Sequence, residues 1–262
     1  MSRPASGDGY TVRAVVRAAS LLDLLRSQNG GATLDQLASG SGLAKPTAFR
    51  LLRTLEQERL VERVVGSEQY RLGLRCLELG QAYLEQVDLR KEAAPVLAAL
   101  RDRFDETVHL AVLDDDYRVV YLEKLETRRA VGIMMSRVGR TAPAHCTGLG
   151  KALLAWSPGD PVAELERRGA LQVFTANTIA EPDALRAELR RIRERGFSLD
   201  LEEHEPGVRC VATPIRVPQE GVVAALSIAG PAGRLPEKRL RGELAEATMA
   251  AAQEVSRRMG GS

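Results

Sequence analysis

The sequence predicts an α+β protein in two parts. The first is a small helical module closed by a β-hairpin, and the second, beyond a linker helix, is a larger domain on a largely antiparallel sheet. Three observations carry this reading. Apolar residues keep a three-and-four spacing through the first 55 or so positions, as amphipathic helices require. Two β-prone runs, Leu60–Val64 and Gln69–Leu72, then close on a Gly66-Ser67 turn. From Thr107 onward β-rich runs are mixed with short helices and paired through short loops, the pattern of an antiparallel α+β domain. A chain of 262 residues also exceeds one ordinary domain of about 100 to 200 residues.

Residues 1–9 are small and polar, a mobile arm in which Arg3 is the one cation. The module itself is expected over 10–73. Its first helix runs from Val12 to Ser27 with Val15, Val16, Ala19, Leu22 and Leu25 at helical spacing, and Asn29-Gly30-Gly31 stops it. Thr33 followed by Gln36 is a capping box, so a second helix starts there and buries Leu34, Leu37 and Ala38. Gly40, Ser41 and Gly42 break it. A third helix begins near Lys45, where Pro46 costs nothing because first-turn amides have no partner. Ala48, Leu51, Leu52 and Leu55 form its buried stripe, which turns Lys45, Thr47, Arg50 and Arg53 to solvent. Three helices followed by a hairpin is the order of a winged helix-turn-helix, whose last helix can enter a major groove with hydroxyls on base edges and cations on phosphates. Candidate contacts to double-stranded DNA are Thr33, Lys45, Pro46, Thr47, Ala48, Arg50 and Arg53 on the helices, with Arg63 and Ser67 on the hairpin.

Charge agrees modestly. The whole chain carries 37 basic against 35 acidic side chains, whereas residues 1–75 carry 11 against 7, so the excess positive charge sits at the N-terminal end, where a polyanion would bind. Cys76, Cys146 and Cys210 are scattered without the paired spacing of a zinc site, which fits a reducing cytoplasm and calls for no metal or cofactor. No apolar run approaches the 18 or so residues of a membrane span, and no leader opens the chain.

Residues 74–88 form the linker helix, whose apolar side (Leu74, Leu77, Ala82, Leu84, Val87) suits either a plain connection or contact with a second copy. The second domain, 89–262, opens with a helix from Lys91 to Phe104. Strands are expected at Thr107–Leu113, Arg118–Leu122 and Val131–Met135, with Asp114-Asp115-Asp116 as a turn. Helices follow at Leu149–Ala155, Pro161–Arg168 and Pro182–Arg195, then strands at Phe197–Leu201, Val208–Pro214 and Val222–Ala229. One helix from Pro236 to about Met259 closes the chain.

Several motifs in this order resemble the IclR family of bacterial transcriptional regulators. They are Leu34-Asp35-Gln36-Leu37-Ala38, Gly42-Leu43-Ala44-Lys45-Pro46-Thr47, Tyr70-Arg71-Leu72-Gly73, Gly150-Lys151-Ala152, Gly196-Phe197-Ser198, Cys210-Val211-Ala212 and Ser227-Ile228-Ala229-Gly230-Pro231. The resemblance implies a GAF-like second domain that binds a small effector, often a carboxylate, in a homodimer or dimer of dimers. Residue by residue it places the effector against Val131, Met134, Ala142, Gly148, Leu149, Asp200, Val208, Cys210 and Ser227. Ala229 replaces a hydroxyl and Ala142 a leucine found in relatives, departures that favour a larger or less polar acid. The chemistry is plausible on its own terms, since Gly148 opens a helix whose free amides favour a carboxylate. A repressor whose operator binding is set by the effector is the expected function. The competing reading is an enzyme acting on a small molecule through the His145, Cys146 and Cys210 region. Adjacent residues on extended chain face opposite ways, and Gly148-Leu149-Gly150-Lys151 lacks the flanking residues of a phosphate loop, so catalysis is not expected.

Overall fold

The computed structural model describes residues 11–28, 30–129, 134–217 and 220–260; the arm expected at 1–9 lies outside them. Two compact units result, one ending at Tyr83 and one beginning at Leu84. The division falls inside the helix expected to link the domains.

The first unit is built in the order α1 (Arg13–Ser27), β1 (Ala32–Thr33), α2 (Leu34–Ser41), α3 (Lys45–Gln57), β2 (Val61–Arg63), β3 (Gln69–Leu72) and the start of α4 (Leu74–Gln86). The capping box forms: Gln36 N–H donates to Thr33 Oγ1 at 3.3 Å and Thr33 N–H donates to Gln36 Oε1 at 2.8 Å, an arrangement that stabilises a helix start by about 1 kcal/mol. Gly42 ends α2 in the left-handed region at φ 65°, where a side chain would be strained. Leu21, Leu25, Leu37, Leu52, Leu55, Val61 and Tyr70 make the core. One expectation needs correcting. Val15, Val16 and Ala19 are exposed, because only the C-terminal half of α1 packs, through Leu21 and Leu25. The hairpin has a third strand that periodicity does not reveal, since β1 is only two residues long and pairs Ala32 with Tyr70.

The second unit is a six-stranded, wholly antiparallel sheet in the order β6-β5-β4-β9-β8-β7. Its strands are β4 (Thr107–Leu113), β5 (Arg118–Leu125), β6 (Thr141–Pro143), β7 (Ser198–Leu201), β8 (Val208–Val217) and β9 (Gly221–Pro231). One face carries α5 (Asp88–Phe104) and α10 (Ala245–Arg258), the other α6 (Gly148–Leu154), α7 (Pro161–Arg167) and α8 (Pro182–Arg195). Strand alternation assigns the side chains. Val108, Leu110, Val211, Ile215, Leu226 and Ile228 face α5 and α10. The opposite face, toward α6, holds Ala111, Cys210, Ala212, Ala225 and Ala229. Strands β8 and β9 therefore present bulk on one face and small side chains on the other.

Two element assignments change. Of the strand expected at Val131–Met135, residues 131–133 lie outside the described ones and Met134 and Met135 are not in a strand; the edge strand is β6, too short to read from periodicity. The closing helix is broken into α9 (Glu237–Arg239), a π-helical turn at Leu240–Leu244, and α10, because Gly242 departs from helical geometry at φ −102°, ψ −106°. Leu84 and Val87 of the linker pack on the core of the second unit, while Leu74 and Leu77 stay exposed.

Candidate DNA-reading face and effector cavity

On α3 the buried stripe is Ala48, Leu52 and Leu55. Lys45, Pro46, Phe49, Arg50 and Arg53 are exposed and Thr47 is half-buried. Ala48 is withdrawn as a DNA contact: at 0% exposure it faces the core. Phe49 is exposed on that surface and was not anticipated. Lys45 pairs with Asp35 at 2.6 Å and Arg53 with Glu56 at 2.9 Å. Among the described residues Arg50 has no carboxylate partner, so its guanidinium is the cation of this helix that a phosphate meets without first breaking an ion pair. Thr33 holds its hydroxyl in the capping box. Arg63 lies over the Tyr70 ring at 5.0 Å and donates to its hydroxyl at 2.9 Å, which fixes the flank of the wing. At the wing tip Ser67 Oγ accepts from Gln69 N–H at 3.1 Å, and Val65 beside it is exposed.

In the second unit the small-residue face of the sheet leaves a cavity of about 40 Å³ under the start of α6. Seven of the nine expected positions line it: Met134, Gly148, Leu149, Asp200, Val208, Cys210 and Ser227. Gly148 is required there by close approach, since a Cβ would come within 2.4 Å of Cys210 Sγ. Two expected positions fall away. Ala142 pairs with Val119 at the sheet edge and lines a separate cleft with His145 and Phe174, so the size argument built on it lapses. Val131 lies outside the described residues.

The lining also holds His109, Tyr121, Ser136, Thr147, His204 and Glu205, none of them anticipated. His109 is the centre of this polar set. Its Nδ1 is 3.3 Å from Ser227 Oγ and its Nε2 is 2.9 Å from Ser136 Oγ. Burial, helped by the Lys124 charge, lowers its pKa to about 3, so the ring is neutral and donates through one nitrogen while accepting through the other. Thr147 caps α6 by accepting from Gly150 N–H at 3.2 Å and donates to the Pro143 carbonyl at 2.9 Å.

Asp200 is the acid of the site. Burial raises its carboxyl to about 7, Lys151 opposes this, and Glu203 and Glu205 reinforce it. Asp200 Oδ1 accepts from Glu203 N–H at 2.8 Å. Glu205 is also raised by burial, and its carboxylate accepts from Met135 N–H at 3.3 Å. Behind them Lys151, 1% exposed, is paired with Glu203 inside the domain. Burial pushes the Glu203 carboxyl up, and Lys151 only partly offsets this. Among the described residues no Lys or Arg lines the cavity, and no three His, Cys, Asp or Glu side chains gather as a metal site. The Asp114-Asp115-Asp116 stretch is a turn held from within. Asp114 Oδ1 accepts from the Asp116 and Arg118 amides, and Asp114 Oδ2 accepts from Arg118.

This combination of a helix-turn-helix unit and a sensor-like sheet is matched along nearly its whole length. Residues 81–257 match the model of the bacterial transcriptional regulator IclR C-terminal domain, and residues 14–64 that of the IclR helix-turn-helix domain. The chain belongs to the IclR family of transcriptional regulators. Relatives of this family include the HTH-type transcriptional regulator XynR of Escherichia coli, 35% identical over 87% of this chain and 90% of its own. The acetate operon repressor of Salmonella typhimurium is 34% identical over 95% of this chain and 91% of its own. Among solved structures an IclR family regulator from Brucella abortus superposes with TM-score 0.81 at 25% identity, covering 98% of this chain and 96% of its own. An IclR homologue from Microbacterium hydrocarbonoxydans, solved with 4-hydroxybenzoate, superposes with TM-score 0.75 at 25% identity, covering 95% of this chain and 100% of its own. As an IclR regulator the chain binds DNA and works under small-molecule control. No helix among the described residues is long and apolar enough to cross a membrane.

Proposed function

We propose that this IclR regulator represses transcription in the cytoplasm and leaves its operator when a small organic acid occupies the cavity under α6. The observation that carries the reading is the convergence of Met134, Gly148, Leu149, Asp200, Val208, Cys210 and Ser227 on one cavity. A carboxylate there would be met by the hydroxyls of Tyr121 and Ser227 and by Asp200 in its protonated, donating form. Acid-to-carboxylate hydrogen bonds of that type are short and strong. The 4-hydroxybenzoate held by the Microbacterium relative makes an aromatic acid the first probe.

DNA reading is assigned to Lys45, Pro46, Thr47, Arg50 and Arg53 with the wing residues Arg63 and Ser67. Thr33 supports them by fixing the start of α2. Residues 10–73 are taken as the DNA-binding domain, 74–88 as linker and 89–262 as effector domain. Leu74, Leu77, Leu79 and Tyr83 are exposed along α4, which buries no residue of its own, and an apolar row of this kind is stabilised by a second copy. Turnover is no part of the reading. The Cys146 and Cys210 thiols are pushed up by burial and so stay protonated, and His145 Nε2 contacts the Gln172 carbonyl at 2.9 Å instead of a thiol.

The test is a thermal-shift screen of the full chain against small organic acids, 4-hydroxybenzoate among them, because a ligand of the folded state raises its melting temperature. An acid that shifts the wild type should not shift Ser227→Leu, provided the variant melts cooperatively without ligand. An undiminished shift would place the effector elsewhere.

A further inference from the structure

Beyond the effector cavity, the second unit holds a larger cleft of about 780 Å³ with a different chemistry. Its walls carry Arg101, Lys124, Arg129 and Arg137, against Glu126 as the one carboxylate residue. The local ion pairs leave positive charge in excess. Arg101 contacts Asp102 at 2.7 Å, but that carboxylate is shared with Arg128 at 2.9 Å. Lys124 is only 12% exposed at its side chain, and its partner Glu126, at 2.9 Å, is mostly in solvent. Arg129 pairs with Asp105 at 2.8 Å. Arg137 has no ion-pair partner among the described residues. Four cations thus line the cleft against one carboxylate, with two of the cationic side chains, Lys124 and Arg101 at 23% exposed, largely removed from water. Partly buried positive charge in excess over its counter-charge is costly unless an anion completes it.

We infer that this cleft binds a small molecule bearing two or more negative charges, phosphate or carboxylate, at a site distinct from the effector cavity. Its volume falls in the range of small-molecule sites, about 300–1,000 Å³. It is a concavity on the sheet edge, whereas a DNA backbone calls for a stripe of cations along a groove. The two sites are neighbours. Met134 lines both. Ser136 turns inward to His109 while Arg137 and Val138 face the cleft. Lys124 stands opposite His109 in the β4–β5 register, and its charge helps keep that ring neutral. An anion on Lys124 would weaken that influence, so the cleft has an electrostatic route to the effector site.

The experiment is calorimetric titration of the full chain with tripolyphosphate and, separately, citrate, at constant ionic strength, in wild type, Lys124→Ala, Arg137→Ala and Arg50→Ala. The inference expects at least one probe to bind. Arg137→Ala, an exposed position that should not disturb folding, should weaken that binding about tenfold, the loss of one charge-assisted contact. Lys124→Ala should do the same and Arg50→Ala should not. Arg137→Lys should recover most of the affinity. Absence of binding at millimolar probe would overturn the inference. So would loss of binding in Arg50→Ala alone, which would assign the anion to the DNA-reading face. Weaker operator binding in Arg137→Ala, measured with neither probe added, would make the cleft a DNA-backbone contact and overturn it as well.

Discussion

Gly148 offers a measurement of how tightly the cavity under α6 is built. A Cβ added there would lie 2.4 Å from Cys210 Sγ, 3.5 Å from Ala212 Cβ and 3.7 Å from Asp200 N, so one atom alone blocks the substitution. Overpacking of a buried site costs about 1–3 kcal/mol, while replacing a helical glycine by alanine returns up to about 1 kcal/mol. A single variant cannot separate these terms, but a double-mutant cycle with Cys210→Ala can. The helix gain is present in both backgrounds and cancels, and the collision disappears with the sulfur. Gly148→Ala should therefore cost about 1–3 kcal/mol less in the Cys210→Ala background than in the wild type. Urea denaturation followed by fluorescence of Trp156, the chain's single tryptophan, reads the right unit, because Trp156 packs against the same core. Additivity within about 0.5 kcal/mol would refute the close approach of α6 to β8 and with it the floor of the cavity.

Arg50→Ala should weaken binding to all DNA and flatten its salt dependence, whereas Thr47→Ala should relax sequence preference; salt titrations on operator and unrelated duplexes distinguish the two. Leu77→Glu should shift the solution mass of the full chain toward monomer by sedimentation, since a charge in an apolar interface is costly; an unchanged mass would remove α4 from the interface. Asp200 carries a pH signature. Its pKa is raised from 3.8 to about 7, so between these values the folded chain keeps a proton that the unfolded chain releases. That contribution to stability is full below about pH 4, falls as pH rises, and is gone above about 7. Asp200→Asn keeps an oxygen acceptor for Glu203 N–H and removes the titration, so it should gain on the wild type as pH passes from 5 to 8, and parallel curves would refute the assignment.

The first unit was legible wherever a local rule sufficed. Thr33 and Gln36 sit three apart, and the capping box they imply is formed; the stripe of α3 followed from spacing in the same way. Legibility ended where tertiary pairing decides. His109 reads as one polar residue inside an apolar strand, and only the register that sets it opposite Ser227 makes it part of the cavity. Thr147 and Ser136 depend likewise on the path of chain between strands. Ala142 shows the converse failure, because transferring a position by resemblance carried it to the cavity while its pairing with Val119 at the sheet edge puts it on another cleft. Val15 and Val16 have helical spacing without burial, since spacing defines a face but not what covers it.

The contrast between the two faces of the sheet explains where a ligand can act. Large buried side chains fill the layer between the sheet and α5 and α10, and a close-packed layer of that kind transmits displacement instead of absorbing it. Toward α6 the small side chains of Cys210, Ser227 and Ala229 leave about 40 Å³, room for only about three water molecules. If the effector is an organic acid, several atoms larger, its binding must move the lining, and the unbranched Met134 is the side chain best able to yield. Ligand affinity and domain conformation are then linked by necessity. The arrangement that admits the acid differs from the one that does not, and the acid shifts the balance only by its difference in affinity for the two. Moving an equilibrium from about 1:99 to 99:1 takes a preference of roughly 10⁴, which the hydroxyls, the neutral imidazole and a protonated Asp200 can supply together only if the ligand presents its carboxylate to all of them at once.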